Sequence, residues 1–196
     1  MSFPNQLSVL RIILSPVFLL LFLSENDFEI KLSLLVFFIA VITDWYDGIH
    51  ARKFGQISKL GIFIDPLADK ILTSMAFFGF YKLGFMPLWM VVIIAVRDIV
   101  ITLMRSYHEF KGHTMKTSFL AKTKTFIQMT YIILVIILVC LLSFGIDESV
   151  KIGIKDFLNS DFNYYLLLLI TLITFYTGLS YFFEKNNFMK AELENN

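Results

Sequence analysis

Residues 43–70 read TDWYDGIHARKFGQISKLGIFIDPLADK. Four carboxylates, Asp44, Asp47, Asp65 and Asp69, stand here within and beside long apolar runs. Asp44 and Asp47 are spaced i,i+3 and Asp65 and Asp69 i,i+4, so on helices each pair occupies one face. The connection between the pairs is short enough for their helices to be antiparallel neighbours, which lets all four converge on one point. Clustered anions near lipid repel one another and must be neutralised, protonated or paired. Arg52, Lys53, Lys59 and Lys70 are near enough in sequence to pair with some of them. Divalent metal is the stronger neutraliser, and oxygen-only ligands suit Mg²⁺, Mn²⁺ or Ca²⁺ and not zinc or copper. Carboxylates shared between two ions are one way to run phosphoryl displacement. The other reading is structural salt bridges plus helix capping, which Asp65 before Pro66 would fit. Gly48, Ala51 and Gly61 share the aspartate faces, where small side chains let a ligand or a facing backbone approach closely.

The elements that carry these residues are membrane helices. The 196 residues are 57% hydrophobic with mean hydropathy +0.73, against about 45–50% apolar for a soluble domain. Several uncharged runs have the length a helix needs to cross hydrocarbon, about 20 residues. They are continuously apolar and do not alternate, which points to helices and not a barrel. Six spans are expected, near 10–23, 30–49, 64–83, 87–107, 119–144 and 162–183. A short N-terminal interfacial helix would precede the first. The expected fold is thus an all-α integral membrane protein, one domain over 1–185 with a polar C-terminal tail at 186–196 and no internal repeat.

Charge alternates between the ends of these spans. One side collects Arg11, then Arg52, Lys53 and Lys59, then Arg105, Lys111, Lys116, Lys122 and Lys124, then Lys185 and Lys190. The other collects Glu25, Asp27, Glu29 and Lys31, then Lys82, then the mixed charges of 147–161. The positive-inside rule places the first set, both termini and the aspartates on the cytoplasmic side. The net charge of +1 gives no field for nucleic acid. Cys140 is the only cysteine, so no intrachain disulfide forms. His50, His108 and His113 lack metal-ligand spacing and read as loop or interface residues. The first apolar run leads to Ser24-Glu25-Asn26-Asp27 and not to a small-residue cleavage site, so no cleavable signal peptide is expected.

Written out, the stretch is Asp44-x2-Asp47-Gly48-x2-Ala51-Arg52-x8-Gly61-x3-Asp65-x3-Asp69. At every fixed position it resembles the signature of the CDP-alcohol phosphotransferase family. The resemblance implies six transmembrane helices, a homodimer, and a metal-dependent site with two ions, Mg²⁺ or Mn²⁺, open to the cytoplasmic leaflet. It implies displacement of CMP from a CDP-linked donor by an alcohol. Carried onto this chain, Asp44, Asp47 and Asp65 become metal ligands, and Asp69 completes the cluster and acts as general base. Gly48, Ala51, Gly61 and Asn5 would line the donor site, with Arg52 on its diphosphate. The chemistry is coherent: a pyrophosphate needs cations, and an alcohol needs its proton taken by a carboxylate within hydrogen-bond reach. A carboxylate is a weak base, so positioning must supply most of the catalysis.

Flanking stretches narrow the acceptor. PNQLSVLRIILSP, IDPLADK, AVRDIVITLMRSYHEFKG and LAKTKTFIQM are similar to stretches of the family's bacterial phosphatidylglycerophosphate synthases. Ser8 replaces Thr there, Asp98 and Ser106 replace Glu, and Ala121 replaces Gly. The implied substrates are CDP-diacylglycerol and sn-glycerol 3-phosphate, with CMP as product, the donor's chains staying among membrane lipids. A small dianion needs several cations beside the aspartates. Arg97 and Arg105, eight apart, share a helix face, and Lys122 and Lys124 open the next span. Arg105, Lys122 and Lys124 are the expected acceptor-phosphate ligands, with Arg97 deeper. The competing reading makes these cations membrane anchors that snorkel to lipid phosphates, and it is preferred for Lys111 and Lys116. The alternative enzyme is a cardiolipin synthase of the same family, with phosphatidylglycerol as acceptor. A cation transporter is the reading from another class, but all four aspartates lie near one membrane face and no acid continues the path.

Overall fold

A computed structural model describes the backbone of residues 3–54, 61–111 and 119–194, and the side chains of 5–43, 61–111 and 119–181. Among the described residues it holds seven helices and no strand: α1 (Phe3–Phe22), α2 (Asp27–Phe54), α3 (Gly61–Lys82), α4 (Leu88–Phe110), α5 (Phe119–Leu142), α6 (Glu148–Leu158) and α7 (Asp161–Glu194).

The N-terminal residues do not form a separate interfacial helix. They open α1, which runs unbroken to Phe22. The reason is burial: Asn5 and Ser8 are 3% and 0% exposed, so this turn is packed among helices and not laid on a membrane surface. Pro16 removes one helical donor inside α1. Next to it, the Ser15 hydroxyl donates to the Arg11 carbonyl one turn back at 2.7 Å. Arg11 is itself fully buried and donates from Nε to the Ala40 carbonyl of α2 at 3.2 Å. It joins two helices, whereas the charge pattern had placed it with the cytoplasmic anchors.

Helix α2 begins behind Asn26, whose side chain accepts from the Phe28 amide at 2.9 Å. Asp27 and Glu29 in its first turn suit the positive end of the helix dipole. Helix α3 ends in a Schellman turn. Gly84 has φ +84°, and the Phe85 amide reaches back to the Phe80 carbonyl at 2.9 Å. At its other end Pro66 is the sixth residue of α3, beyond the first turn, so the capping reading of Asp65-Pro66 does not hold.

Helix α1 packs on α2 and α3, α3 on α4, and α4 on α7. The core is aromatic, with Phe18 against Phe22 and Phe37, and Phe80 against Phe22, Phe77 and Tyr131, all at 5.2–6.2 Å between ring centroids. A Cβ on Gly79 would meet the Phe22 ring at 3.0 Å, so that glycine sets the approach of α1 to α3. The short helix α6, within a stretch that sequence alone left unassigned, is tied in by Asn163. That side chain donates to the Leu158 carbonyl and accepts from the Tyr131 hydroxyl, both at 2.7 Å.

Segments Asn5–Phe22, Phe119–Leu142 and Asp161–Tyr181 are long and apolar enough to cross a membrane. Leu20 and Phe119 are more than 70% exposed, as side chains that face lipid must be. The chain is an all-helical membrane protein. The backbone of α7 continues as helix through residues 182–194, which takes in most of the polar C-terminal stretch from 186.

Candidate active site

Asp65 and Asp69 lie one turn apart near the start of α3. Asp44, Asp47, Gly48, Ala51 and Arg52 all lie on the last turns of α2, with side chains outside those described. Among the described residues no three of His, Cys, Asp and Glu gather at one point. Of the expected four-carboxylate cluster, only the α3 pair can therefore be located atom by atom.

Ser8 of α1 reaches across to Asp65, its hydroxyl donating to Oδ1 at 2.5 Å. One carboxylate oxygen is thus oriented by a fully buried hydroxyl. Asn5 stands three residues earlier on α1, buried on the same face. Gly61 is buried at the start of α3. Asp69 pairs with Lys70, Nζ to Oδ2 at 2.9 Å, with the two side chains 29% and 16% exposed. The nearest-neighbour cation expected to pair with an aspartate does so here. The described Asp65 and Asp69 offer carboxylate oxygens, the ligand type that suits a hard divalent cation.

Beside this pair opens a cleft of about 530 Å³ between α3, α4, α5 and α7. Lys70, Arg97, Arg105 and Lys122 line it together with one carboxylate, Asp98, and Thr102, Thr125, Thr177 and Ser180 are among its polar wall residues. Three of the four cations named from sequence therefore share one cavity. The fourth, Lys124, is 2% exposed and turned to Asp98, its Nζ meeting both carboxylate oxygens at 2.5 and 2.7 Å. Asp98 also accepts from Arg97 Nη1 at 3.0 Å and from Gln128 Nε2 at 3.3 Å. Arg97 Nη2 donates onward to the Thr177 hydroxyl at 2.8 Å. Gly178 makes room for this side chain: a Cβ there would come within 2.8 Å of Arg97 Cγ.

Sequence reasoning did not foresee the roles of Asp98, Gln128, Thr177 and Gly178. Asp98 carried a usable signal: it is an acid within the expected span 87–107, so the expectation that no acid stands in a span beyond the four aspartates does not hold. An acid in that place must find a partner on a facing helix. Lys111 stacks its ammonium 4.7 Å from the Tyr107 ring, outside the cleft, in line with the anchor reading.

The family profile described as CDP-alcohol phosphatidyltransferase matches residues 1–177. A CDP-diacylglycerol–glycerol-3-phosphate 3-phosphatidyltransferase of Bacillus subtilis (strain 168) is 34% identical over 140 residues, covering 65% of this chain and 72% of the relative. One of the same name from Blochmanniella floridana is 36% identical over 137 residues, covering 67% and 72%. A probable phosphatidylglycerophosphate synthase of Mycobacterium tuberculosis (strain ATCC 25618 / H37Rv) is 37% identical over 127 residues, covering 63% and 60%. With nine-tenths of its length inside that profile and a carboxylate pair beside a basic cleft, this chain belongs to the CDP-alcohol phosphatidyltransferase family.

Proposed function

We infer that this chain is a phosphatidylglycerophosphate synthase of phospholipid biosynthesis. It transfers the phosphatidyl group of CDP-diacylglycerol to sn-glycerol 3-phosphate and releases CMP. The observation that carries the reading is the position of the basic cleft: it holds Arg97, Arg105 and Lys122 and shares a wall with the residue next to Asp69. A small dianionic alcohol seated there brings its hydroxyl toward a carboxylate. The relatives' names specify the same acceptor. The cardiolipin synthase alternative is not favoured, since none of the relatives described carries that name.

Asp44, Asp47, Asp65 and Asp69 would hold Mg²⁺ or Mn²⁺, two ions in the family pattern. Such ions supply charge neutralisation for the donor's diphosphate. Ser8 orients Asp65 for that task. Gly48, Ala51, Gly61 and Asn5 would form the donor pocket, with Arg52 on the diphosphate. Asp69 takes the acceptor's hydroxyl proton. The acceptor oxygen bonds to the donor phosphorus in line with the departing CMP oxygen. Arg105 and Lys122 hold the acceptor phosphate, with Arg97 deeper and Lys124 behind it. Helices α1, α2, α3, α4, α5 and α7 would provide six spans of a single domain over 1–185, with the site and both termini facing the cytoplasm from the cytoplasmic membrane and the working unit a homodimer.

The test is incorporation of labelled glycerol 3-phosphate into organic-extractable lipid by the purified protein with CDP-diacylglycerol and Mg²⁺. Incorporation that needs both donor and metal supports the reading. Label that stays in the aqueous phase rejects it.

A further inference from the structure

Among the described residues, Lys70 is placed in both halves of the site. Its ammonium lies 2.9 Å from Asp69 Oδ2, and it lines the acceptor cleft with Arg105 and Lys122. Neighbouring residues on a helix project about 100° apart and do not ordinarily face each other. Lys70 meets Asp69 only because its four-carbon stem is long enough to fold back, and that same flexible stem presents three donors that can be redirected.

Among the described residues, the other carboxylate acting on Lys70 is Asp98. Asp98 also lines the cleft, but it is bonded to Lys124 through both oxygens and to Arg97, whereas the direct ion pair of Lys70 is with Asp69. Thr73 bonds to the backbone carbonyls of Asp69 and Lys70, which fixes the helix beneath the pair and leaves the carboxylate–ammonium contact to the side chains.

We propose that Lys70 is an acceptor-phosphate sensor that covers Asp69 until a phosphorylated alcohol occupies the cleft. This rests on the acceptor reading above. The ammonium sits on Asp69 Oδ2. A phosphate dianion seated by Arg105 and Lys122 offers Lys70 a more highly charged partner. The ammonium turns to it, and Oδ2 is released to face the acceptor hydroxyl. The hydroxyl proton then passes to Asp69, the acceptor oxygen bonds to the phosphatidyl phosphorus, and the phosphorus–oxygen bond to CMP breaks with its electron pair leaving on CMP. Water carries no phosphate and leaves Lys70 where it is. The pair therefore biases the reaction against hydrolysis of the donor.

The experiment measures CMP release from CDP-diacylglycerol with Mg²⁺ under three conditions: no acceptor, glycerol 3-phosphate, and glycerol with added inorganic phosphite. Wild type is compared with Lys70→Met and Lys70→Arg. In wild type, phosphite should stimulate transfer to glycerol several-fold, because it fills the cleft without supplying the hydroxyl. In Lys70→Met the ratio of acceptor-free to glycerol 3-phosphate-dependent release should rise several-fold. Lys70→Arg should restore most of the suppression, which a merely structural role would not predict. An unchanged ratio in Lys70→Met, or no phosphite stimulation in wild type that does use glycerol 3-phosphate, overturns the role of Lys70 alone. Wild type that transfers to unphosphorylated glycerol as well as to glycerol 3-phosphate overturns the acceptor reading as well.

Discussion

The Lys124 ammonium meets both oxygens of Asp98 with each side chain 2% exposed, joining α5 to α4 inside an apolar bundle. Burying two charges costs several kcal/mol, and mutual attraction repays this only with good geometry and further hydrogen bonds. Here Arg97 and Gln128 supply those bonds. Removing one member leaves the others buried without compensation. Asp98→Asn should therefore lower stability by about 3–5 kcal/mol. Thermal unfolding in detergent would show it, and the paired replacement Asp98→Leu with Lys124→Met should recover most of the loss. If the single variant melts like wild type, the pair is not a structural tie.

Ser8 acts on Asp65 from a different helix. Its hydroxyl is buried and donates to one carboxylate oxygen. Ser8→Ala leaves the carboxylate in place but free to rotate. Changes to such supporting groups typically cost about 10–100-fold in metal affinity or activity. The Mg²⁺ concentration for half-maximal activity should rise by roughly 10-fold, while Ser8→Thr, which keeps the hydroxyl, should remain near wild type.

Gly178 tests the approach of α7 to α4. An alanine there would place its Cβ 2.8 Å from Arg97 Cγ. The Arg97 stem cannot move aside without disturbing its guanidinium, which is tied to Asp98 and Thr177. Gly178→Ala should destabilise by about 1–3 kcal/mol, the usual cost of overpacking, and should raise the acceptor KM more than the donor KM. Equal changes in both would separate Arg97 from the acceptor cleft.

Asp69 and Asp44 are assigned different work. Asp69→Asn should abolish turnover while leaving binding of CDP-diacylglycerol measurable, and Asp44→Asn should weaken donor binding as well. Titration of the donor against each purified variant distinguishes them. Loss of donor binding in Asp69→Asn equal to that in Asp44→Asn would remove Asp69 as the base.

Much of the architecture was legible because lipid makes a simple demand: long apolar runs must be helices. The expected run at 119–144 matches α5, and that at 162–183 falls within α7, both long and apolar enough to cross a membrane, whereas 64–83 and 87–107 coincide with α3 and α4 as helices only. The first turn was misread because Asn5 and Ser8 look polar in isolation, and only their burial against neighbouring helices shows that they belong to α1. Pro66 was weighed as a capping residue because a helix start cannot be fixed without its backbone. Helix α6 escaped because eleven residues with mixed charge carry no span-length signal. For the site, side-chain identity named Arg97, Arg105, Lys122 and Lys124 together, yet helix rotation decides which face the cleft. Lys124 and Asp98 turn to each other, a choice that depends on how α4 and α5 pack and is not written in spacing. The meeting of the α2 and α3 aspartates falls partly on side chains outside those described.

The most direct test of the central claim is CMP release by the purified protein with CDP-diacylglycerol and Mg²⁺, with glycerol 3-phosphate, phosphatidylglycerol, serine and inositol phosphate supplied in turn. Release with glycerol 3-phosphate, with phosphatidylglycerophosphate as the lipid product, is the predicted result. Release with phosphatidylglycerol and not with glycerol 3-phosphate would contradict it, and would require the cleft lined by Arg105 and Lys122 to receive a lipid headgroup.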